Sequence, residues 1–224
     1  MNKKIIVFDF DGVFVLDSDA VFKKEAWKIV FNPWVGQYEK HLEEISQLCA
    51  GQSGGRIKVF NYVFEHLNEP EETISTLTEK ASRVFDDYVQ EKILKAGLAT
   101  GTLSTLETLT NLDLKLYINS GTASPALQDI IKKLGIHHFF SGVFGSTKEP
   151  IGGGKVENLQ YIAEQEKLGP EAIIFVGDSD SDYKAAVEFR CDFIGISNEW
   201  NGWRKDAKSF PVISKLSDIP RLIN

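Results

Sequence analysis

Short hydrophobic runs recur along the chain and predict the strands of a sheet. Three clear ones cover residues 5–8, 114–118 and 172–176, and two further candidates cover 143–144 and 192–196. Their apolar positions are nearly continuous and do not alternate with polar ones. That pattern is typical of parallel strands that helices cover on both faces.

Helical patterns lie between these runs. Ser124 and Pro125 offer an N-cap and a proline in a first helical turn, and Gly135 offers a terminator. The patterns predict helices over residues 126–134, 155–167 and 180–189. Strands that alternate with helices indicate an α/β fold with right-handed crossovers. We predict a Rossmann-like core of three layers with a central parallel sheet.

A long segment after the first strand has a different pattern. Between residues 18 and 96, aromatic and aliphatic residues recur at helical spacing, and one long helix is predicted over residues 71–94. A glycine-rich break covers residues 51–55. We therefore predict an all-helical insertion of residues 18–96 into a core made of residues 1–17 and 97–224.

Composition narrows the range of partners. The chain has 224 residues, with 32 acidic and 25 basic side chains and a net charge of −7. An acidic protein lacks the basic face that nucleic acid needs, so we expect no nucleic acid partner. No stretch approaches the roughly 18 apolar residues of a membrane span.

The cysteines indicate the compartment. Cys49 and Cys191 form no Cys-x-x-Cys pair, and two scattered thiols favour a reducing compartment, here the cytoplasm.

Acidic side chains follow the first predicted strand. Asp9 and Asp11 stand two residues apart on an extended chain, so both point to the same side. Their mutual repulsion disfavours this placement unless a cation or a shared proton offsets it. The carboxyl end of a parallel strand borders the usual ligand crevice of an open α/β sheet. We interpret the pair as functional, against the alternative of two solvated acids at a strand end.

Polar groups also follow two other predicted strands. Ser120 and Gly121 offer a hydroxyl and a backbone N–H, which suit a phosphate oxygen, although an ordinary capped turn has the same pattern. Asp178 comes directly after the strand predicted over residues 172–176. Asp180 or Ser181 would cap the next helix, which leaves Asp178 without a structural task.

A lysine opens the helix that follows a run of three glycines. Lys155 in a first helical turn opposes the helix dipole, so it is better explained if it offsets nearby negative charge. The alternative is an exposed lysine after a loop. Lys148 is a rival for the same role.

Together these residues resemble the four motifs of the haloacid dehalogenase-like hydrolases. The motifs are Asp9-Phe-Asp-Gly-Val, Ser120, Lys155 and Gly177-Asp-Ser-Asp-Ser-Asp182, in the family's order and over nearly the whole chain. Lys155 is preferred to Lys148 because it opens a helix and its separation from Asp178 is typical of the family. The helical insertion is similar to the family's C1-type cap domain, which closes over the carboxyl edge of the sheet.

The resemblance implies a role for each motif residue. Asp9 would be the nucleophile, and Asp11 would be the general acid and then the general base. Mg²⁺ would bind the Asp9 carboxylate, the Asp11 backbone carbonyl and Asp178, an oxygen-only set that suits this ion. Phosphate oxygens would be held by Ser120, the Gly121 N–H and Lys155. Asp182 would lie one shell out and orient a water or Lys155.

The function that the resemblance implies is Mg²⁺-dependent hydrolysis of a small phosphorylated metabolite, a phosphomonoester, through an aspartyl-phosphate. One alternative is a sugar-phosphate phosphomutase similar to β-phosphoglucomutase. The histidine that often follows the first motif in such mutases is missing from residues 19–22, and Asp17-Ser18 comes one residue later than in many relatives. A non-catalytic phosphate-binding protein is a further alternative, but a binder has little use for a general acid.

Specificity is expected to come from the helical insertion. Arg56, in the segment that resembles the cap's substrate loop, would reach a second anionic group of the substrate, or it would be a solvated arginine at a helix start. Trp200 and Trp203 would either border the site or pack in the core. The pattern leaves open whether the protein is a monomer or a homodimer.

Overall fold

A parallel sheet forms the centre of the molecule. The structure is a computed structural model that describes residues 3–49, 55–147, 154–203 and 209–223. In these ranges the strands are β1 Ile5–Phe8, β2 Lys115–Ala123, β3 Phe140–Ser146, β4 Ile173–Gly177, β5 Asp192–Ile196 and β6 Val212–Ile213. Every neighbouring pair is parallel, in the order β3-β2-β1-β4-β5-β6. The predicted α/β class with a central parallel sheet is confirmed.

Three strands differ from the sequence prediction. β3 covers Phe140–Ser146, whereas the hydrophobic run predicts only residues 143–144. β2 continues past Ile118 to Ala123, because the polar Asn119 and Ser120 are buried and bonded to Lys155 and Asp11. β6 has only two residues, too few to stand out as a hydrophobic run. Hydrophobic continuity therefore located the centre of each long strand but not its polar end.

Helices account for most of the remaining described chain. They are α1 Lys24–Val30, α2 Tyr38–Cys49, α3 Gly55–His66, α4 Glu71–Ala96, α5 Thr102–Asn111, α6 Ser124–Lys133, α7 Lys155–Glu166, α8 Asp180–Phe189 and α9 Ile219–Ile223. A π-helical turn, Ser18–Lys23, leads into α1. Among the described helices, none is both long enough and apolar enough to span a bilayer.

The sheet divides the hydrophobic core into two layers. Along β1, Ile6 and Phe8 face one layer, while Ile5 and Val7 face the other, and all four are fully buried. Helices α5 and α6 contribute to the first layer, and α7 and α8 contribute to the second. Burial on both faces explains why the strands appear as continuous apolar runs.

The segment of residues 18–96, called the helical block below, contains the π-helical turn and α1 to α4. No strand occurs in the part of it that the structure describes. Its centre is an aromatic cluster in which the ring of Phe60 lies 4.9 Å from that of Trp27, 5.9 Å from that of Phe31 and 6.1 Å from that of Phe85. This cluster is continuous with the first core layer. That the helical block is a separate cap domain stays a prediction.

The strand order determines where a ligand crevice can form. β1 pairs with β2 on one side and with β4 on the other. The connection from β1 leads to β2 on one side, and the connection from β4 leads to β5 on the other side. Such a switch point opens a crevice at the carboxyl ends of β1 and β4. The segments that follow β1 and β4 are those that carry the acidic motifs.

The aromatic cluster predicts a large loss of stability when one ring is removed. Phe60→Ala should lower the free energy of unfolding by about 3–5 kcal/mol, because it leaves a cavity among rings that cannot collapse fully. Urea denaturation measures this loss. Val35→Ala, at a side chain that is 64% exposed in the same block, is the matched control. Equal effects of the two substitutions would contradict the packing described here.

Candidate functional site

A tight turn after β1 presents the first two acidic residues. The Asp9 N–H donates to Val176 O at 2.8 Å, which continues the pairing of β1 with β4, and Asp9 Oδ1 accepts the Phe10 N–H at 2.7 Å. Gly12 has φ +69°, and a Cβ there would lie 2.0 Å from Asp178 Oδ2. Only glycine allows this turn and leaves room for the Asp178 carboxylate.

Lys155 lies between two carboxylates at the start of α7. Its Nζ is 2.9 Å from Asp9 Oδ2 and also contacts Asp182 Oδ1. All three residues are buried. Burial alone would lower the pKa of Lys155, but the Asp182 and Asp9 carboxylates raise it above its ordinary value. Lys155 is therefore a fixed positive charge beside Asp9.

Buried amides fix the start of α7 against β2. Asn119 Nδ2 donates to the backbone oxygen of Lys155 at 2.8 Å, and Asn158 Nδ2 donates to Asn119 Oδ1 at 2.9 Å. A buried amide must be bonded, and here both are bonded to each other and to the helix end. This arrangement explains how Lys155 reaches the site although a glycine-rich stretch precedes it.

Asp182 has a structural role as well as its contact with Lys155. Ser179 is the N-cap of α8 and forms a capping box with Asp182, so the prediction that Asp180 or Ser181 caps this helix was wrong. Asp182 Oδ2 accepts from the Ser179 N–H at 3.0 Å and from the Ser179 hydroxyl at 2.6 Å. With Oδ1 on Lys155, both carboxylate oxygens are engaged.

The loop after β5 holds Asp178 in place. Asn198 Nδ2 donates to Asp178 Oδ2 at 2.9 Å, and Asn201 Nδ2 donates to the Asp178 backbone oxygen at 2.9 Å. The backbone N–H of each asparagine also donates to the side-chain Oδ1 of the other. Burial raises the pKa of Asp178 to about 7, and the carboxylates of Asp182 and Asp19 add to the shift.

The two tryptophans of this loop have different surroundings. Trp203 is buried and packs against Phe193 and Phe210 in the second core layer. Trp200 is half-exposed, and its indole N–H donates to Asp17 Oδ1 at 3.3 Å. Trp203 is thus a core residue, whereas Trp200 links the loop to the segment after β1.

The Asp11 carboxylate contacts a second lysine, Lys23. Its Oδ2 accepts from Lys23 Nζ at 2.6 Å, from Thr122 Oγ1 at 2.7 Å and from Ser120 Oγ at 3.4 Å. Burial alone would raise the pKa of Asp11, but Lys23 and the hydroxyls of Thr122 and Ser18 lower it. Ser120 also accepts the Thr122 N–H at 3.1 Å.

The arrangement of carboxylates fits a divalent cation. Asp9, Asp178 and Asp182 each offer a carboxylate oxygen, and the three oxygens lie within 4.8 Å of one another. Burial raises the pKa of Asp9 well above its ordinary value, and the nearby aspartates add to this although Lys155 opposes it. A hard cation prefers such oxygen donors and would offset their repulsion. The Asp182 carboxylate accepts three of the described hydrogen bonds, whereas that of Asp9 accepts two and that of Asp178 accepts one. Asp9 and Asp178 therefore have more free lone pairs for an ion than Asp182 has.

Most of the predicted site residues lie together. Six of them surround the crevice between β1, β2 and β4: Asp9, Asp11, Ser120, Lys155, Asp178 and Asp182. Gly121 lies in β2 beside Ser120. The rival Lys148 lies outside the described residues. Their chemical roles stay predictions at this point.

Arg56 lies in α3 and is already paired. Its guanidinium forms an ion pair with Asp86 at 2.7 Å and lies 4.8 Å from the centre of the Phe85 ring. Its Nε is buried and has no partner among the described residues. A role for Arg56 in binding a second anionic group stays a prediction.

Sequence reasoning missed four polar residues that contact the site: Lys23, Thr122, Asn198 and Asn201. One of them had a readable signal. Thr122 is two residues after Ser120, so both side chains lie on the same side of an extended chain. Lys23 depends on a π-helical turn, which is rare and has no simple pattern.

The acidic crevice predicts how the stability of the metal-free protein varies with pH. Because the pKa of Asp178 is raised to about 7 in the fold and is about 4 in an unfolded chain, the folded state binds more protons between these values. The free energy of unfolding should therefore fall as the pH rises from about 4 to about 7.

Urea denaturation in a chelator at several pH values measures this dependence. Asp178→Asn should flatten it, whereas Asp113→Asn, at an exposed position, should leave it unchanged. An equally steep dependence in Asp178→Asn would contradict the raised pKa.

Three comparisons place the chain among known proteins. It is 26% identical over 212 residues to a phosphoglycolate phosphatase of Vibrio cholerae, covering 93% of this chain and 90% of that one. It is 31% identical over 210 residues to a phosphoglycolate phosphatase of Pasteurella multocida, with coverages of 88% and 87%. The structure of the HAD-hydrolase YfnB from Bacillus subtilis, bound to magnesium, matches the fold with a TM-score of 0.70, 21% identity and full coverage of both chains.

A model of the haloacid dehalogenase-like hydrolase family matches residues 3–190. This range contains all four predicted motifs, and the geometry brings those motifs to one crevice. The prediction of a hydrolase of this family is confirmed. The chain belongs to the haloacid dehalogenase-like hydrolases.

Proposed function

We propose that the protein is a Mg²⁺-dependent phosphatase that hydrolyses a small phosphomonoester through an aspartyl-phosphate on Asp9. The observation that carries this proposal is the position of Asp9, which lies at the switch point of the sheet between the ammonium group of Lys155 and the carboxylate of Asp178. A carboxylate with a fixed cation on one side and a cation site on the other can approach a phosphate dianion without strong repulsion.

The metal site would consist of the Asp9 and Asp178 carboxylates and the Asp11 backbone carbonyl. Bound there, Mg²⁺ would neutralise charge on a phosphate oxygen and on both carboxylates. Asn198 and Asn201 hold Asp178 towards Gly12, so this ligand is in place before an ion arrives. Asp182 would act one shell out, because its oxygens hold Lys155 and Ser179.

The reaction would proceed in two displacements at phosphorus. In the first, an Asp9 carboxylate oxygen forms a bond to phosphorus while the bond to the ester oxygen breaks, and Asp11 gives its proton to that oxygen. In the second, a water oxygen attacks the same phosphorus, the bond to Asp9 breaks, and Asp11 takes a proton from the water. The products are the free alcohol and inorganic phosphate.

Lys155, Ser120 and the Gly121 N–H would hold the remaining phosphate oxygens. The pKa of Lys155 is raised, so it stays charged throughout, and its two bonds to carboxylates keep it from moving. Ser120 is buried beside Asp11 at the carboxyl side of β2. These groups supply positioning and charge compensation, which phosphoryl transfer mainly requires.

A cavity of about 990 Å³ is a candidate site for the rest of the substrate. It lies between the helical block and the segments that follow β2 and β3, and its wall includes Arg56, Ser75, Thr78, Ser124 and Thr147. Hydroxyl and charged side chains interrupt a wall that is otherwise mostly apolar. Because two relatives are named as phosphoglycolate phosphatases, 2-phosphoglycolate is the first substrate to test.

The nucleophile assignment predicts the effect of one substitution. Asp9→Asn should abolish phosphate release from 4-nitrophenyl phosphate, because an amide oxygen does not form the covalent intermediate. Asp113→Asn changes an exposed aspartate outside the four motifs and should keep wild-type turnover. Circular dichroism shows whether both variants are folded. Comparable turnover by a folded Asp9→Asn variant would refute the assignment.

The metal and the substrate are tested together by a screen of phosphate release. Chelated protein should be inactive on every phosphomonoester, and added Mg²⁺ should restore release from at least one small phosphorylated acid or polyol. The panel includes 2-phosphoglycolate, glycerol phosphates and hexose phosphates. Full activity in chelator would contradict the metal requirement. Conversion of one sugar phosphate into its isomer without phosphate release would instead identify a phosphomutase.

A further inference from the structure

Donors from two distant parts of the chain meet on a single oxygen of Asp11. Lys23 Nζ, at the end of the π-helical turn, lies 2.6 Å from Asp11 Oδ2, and Thr122 Oγ1, in β2, donates to the same atom at 2.7 Å. The ion pair is largely buried, with the Lys23 side chain 21% exposed and the Asp11 side chain 5% exposed. Both bonds are within the normal range for charged or hydroxyl donors.

The other oxygen of the same carboxylate has no such donors in the described part of the chain. Asp11 Oδ1 is buried and has no hydrogen-bond partner among the described residues. A buried carboxylate oxygen without a donor is costly, so its position requires an explanation. The donors on Oδ2 fix the rotation of the carboxylate, and as a result Oδ1 is the oxygen left to meet a ligand.

We propose that Lys23 and Thr122 are positioning residues that hold Asp11 by Oδ2 and so direct Oδ1 to the leaving-group oxygen of the substrate. The inference rests on the proposed phosphatase function, because it concerns the proton that Asp11 delivers. The proton would leave Oδ1 and join the ester oxygen as the bond from that oxygen to phosphorus breaks. Lys23 and Thr122 would keep their hydrogen bonds to Oδ2 throughout.

Asp19 is a second carboxylate partner of Lys23. Lys23 also forms an ion pair with Asp19 at 2.7 Å, one helical turn earlier, and the Asp19 side chain is 56% exposed. The two carboxylates offset the positive charge of Lys23, so this lysine would attract an anionic substrate group only weakly. The geometry therefore favours a positioning role for Lys23 over a role as an anion-binding residue.

The competing explanation is purely structural. A buried ion pair between the π-helical turn and the segment after β1 would also hold the helical block against the core. Loss of such a pair leaves an unpaired buried charge and reduces stability. A structural role alone, however, would lower turnover equally for all substrates, whereas loss of proton delivery depends on the basicity of the leaving group.

The test compares two aryl phosphates in the presence of Mg²⁺. 4-Nitrophenyl phosphate has a weakly basic leaving group that needs little protonation, and phenyl phosphate has a more basic one. Lys23→Met should lower kcat/KM, which reports the first displacement, about tenfold or more further for phenyl phosphate than for 4-nitrophenyl phosphate, since general-acid catalysis contributes about 10²–10⁴-fold. Lys23→Arg, which keeps a charged donor, should recover part of the difference.

Thr122→Val gives an independent measure that does not disturb an ion pair. It should show the same preference for the better leaving group, and the double variant Lys23→Met with Thr122→Val should lose less than the sum of the single effects, because both act on one oxygen. Lys28→Met, at an exposed lysine of α1, is the matched control and should leave both rates unchanged.

The outcomes separate this inference from the proposed function. Suppose that turnover by the wild type disappears in Asp9→Asn, and that folded Lys23→Met and Thr122→Val lose kcat/KM equally on both substrates. This result would overturn the positioning role and leave the proposed phosphatase function standing. If the wild-type protein turned over neither aryl phosphate, both the phosphatase proposal and the positioning role would lose their support. A leaving-group-dependent loss in both variants supports the inference.

Discussion

The structure depends on the balance of charge in one crevice. Four acidic side chains, Asp9, Asp11, Asp178 and Asp182, come together there, and in the described part of the chain the cations in direct contact with them are Lys23 and Lys155. Burial prevents water from screening this repulsion, which is why the pKa values of Asp9 and Asp178 are raised. The fold tolerates the cluster because each lysine is held by two carboxylates and because a divalent cation can offset the remainder.

The backbone accommodates this cluster through close contacts. Gly12 allows the turn after β1 to pass against Asp178, and a Cβ at Gly177 would lie 2.5 Å from the Cβ of Asp182. Both glycines lie next to an aspartate, so the acidic residues and the space they need occur in the same short motifs. The parallel pairing of β1 with β4 then brings the two motifs together.

The sequence predicts the parts of this arrangement that depend on local patterns. Continuous apolar runs identified the strands, and helical spacing identified α4 and α8, because burial on both faces or on one stripe is visible in the order of residues. The polar end of β2 was missed because Asn119 bonds to Lys155 and Ser120 bonds to Asp11, and both partners are distant in the chain. Lys23 and Asn198 were missed for the same reason, since their partners are distant in the chain and only the folded structure brings them into contact.

These contacts divide the site between two parts of the chain. Asp9, Ser120 and Asp178 lie in or directly after strands of the sheet. Lys23, from the helical block, contacts only Asp11 and Asp19 among the acidic side chains described. Phosphoryl groups are alike in all phosphomonoesters, but leaving groups differ between substrates. A displacement of the π-helical turn would therefore alter the orientation of Asp11 while Asp9, Lys155 and Asp178 kept their places. Under the proposed mechanism, the helical block would adjust proton delivery to the leaving group without disturbing the binding of the phosphate.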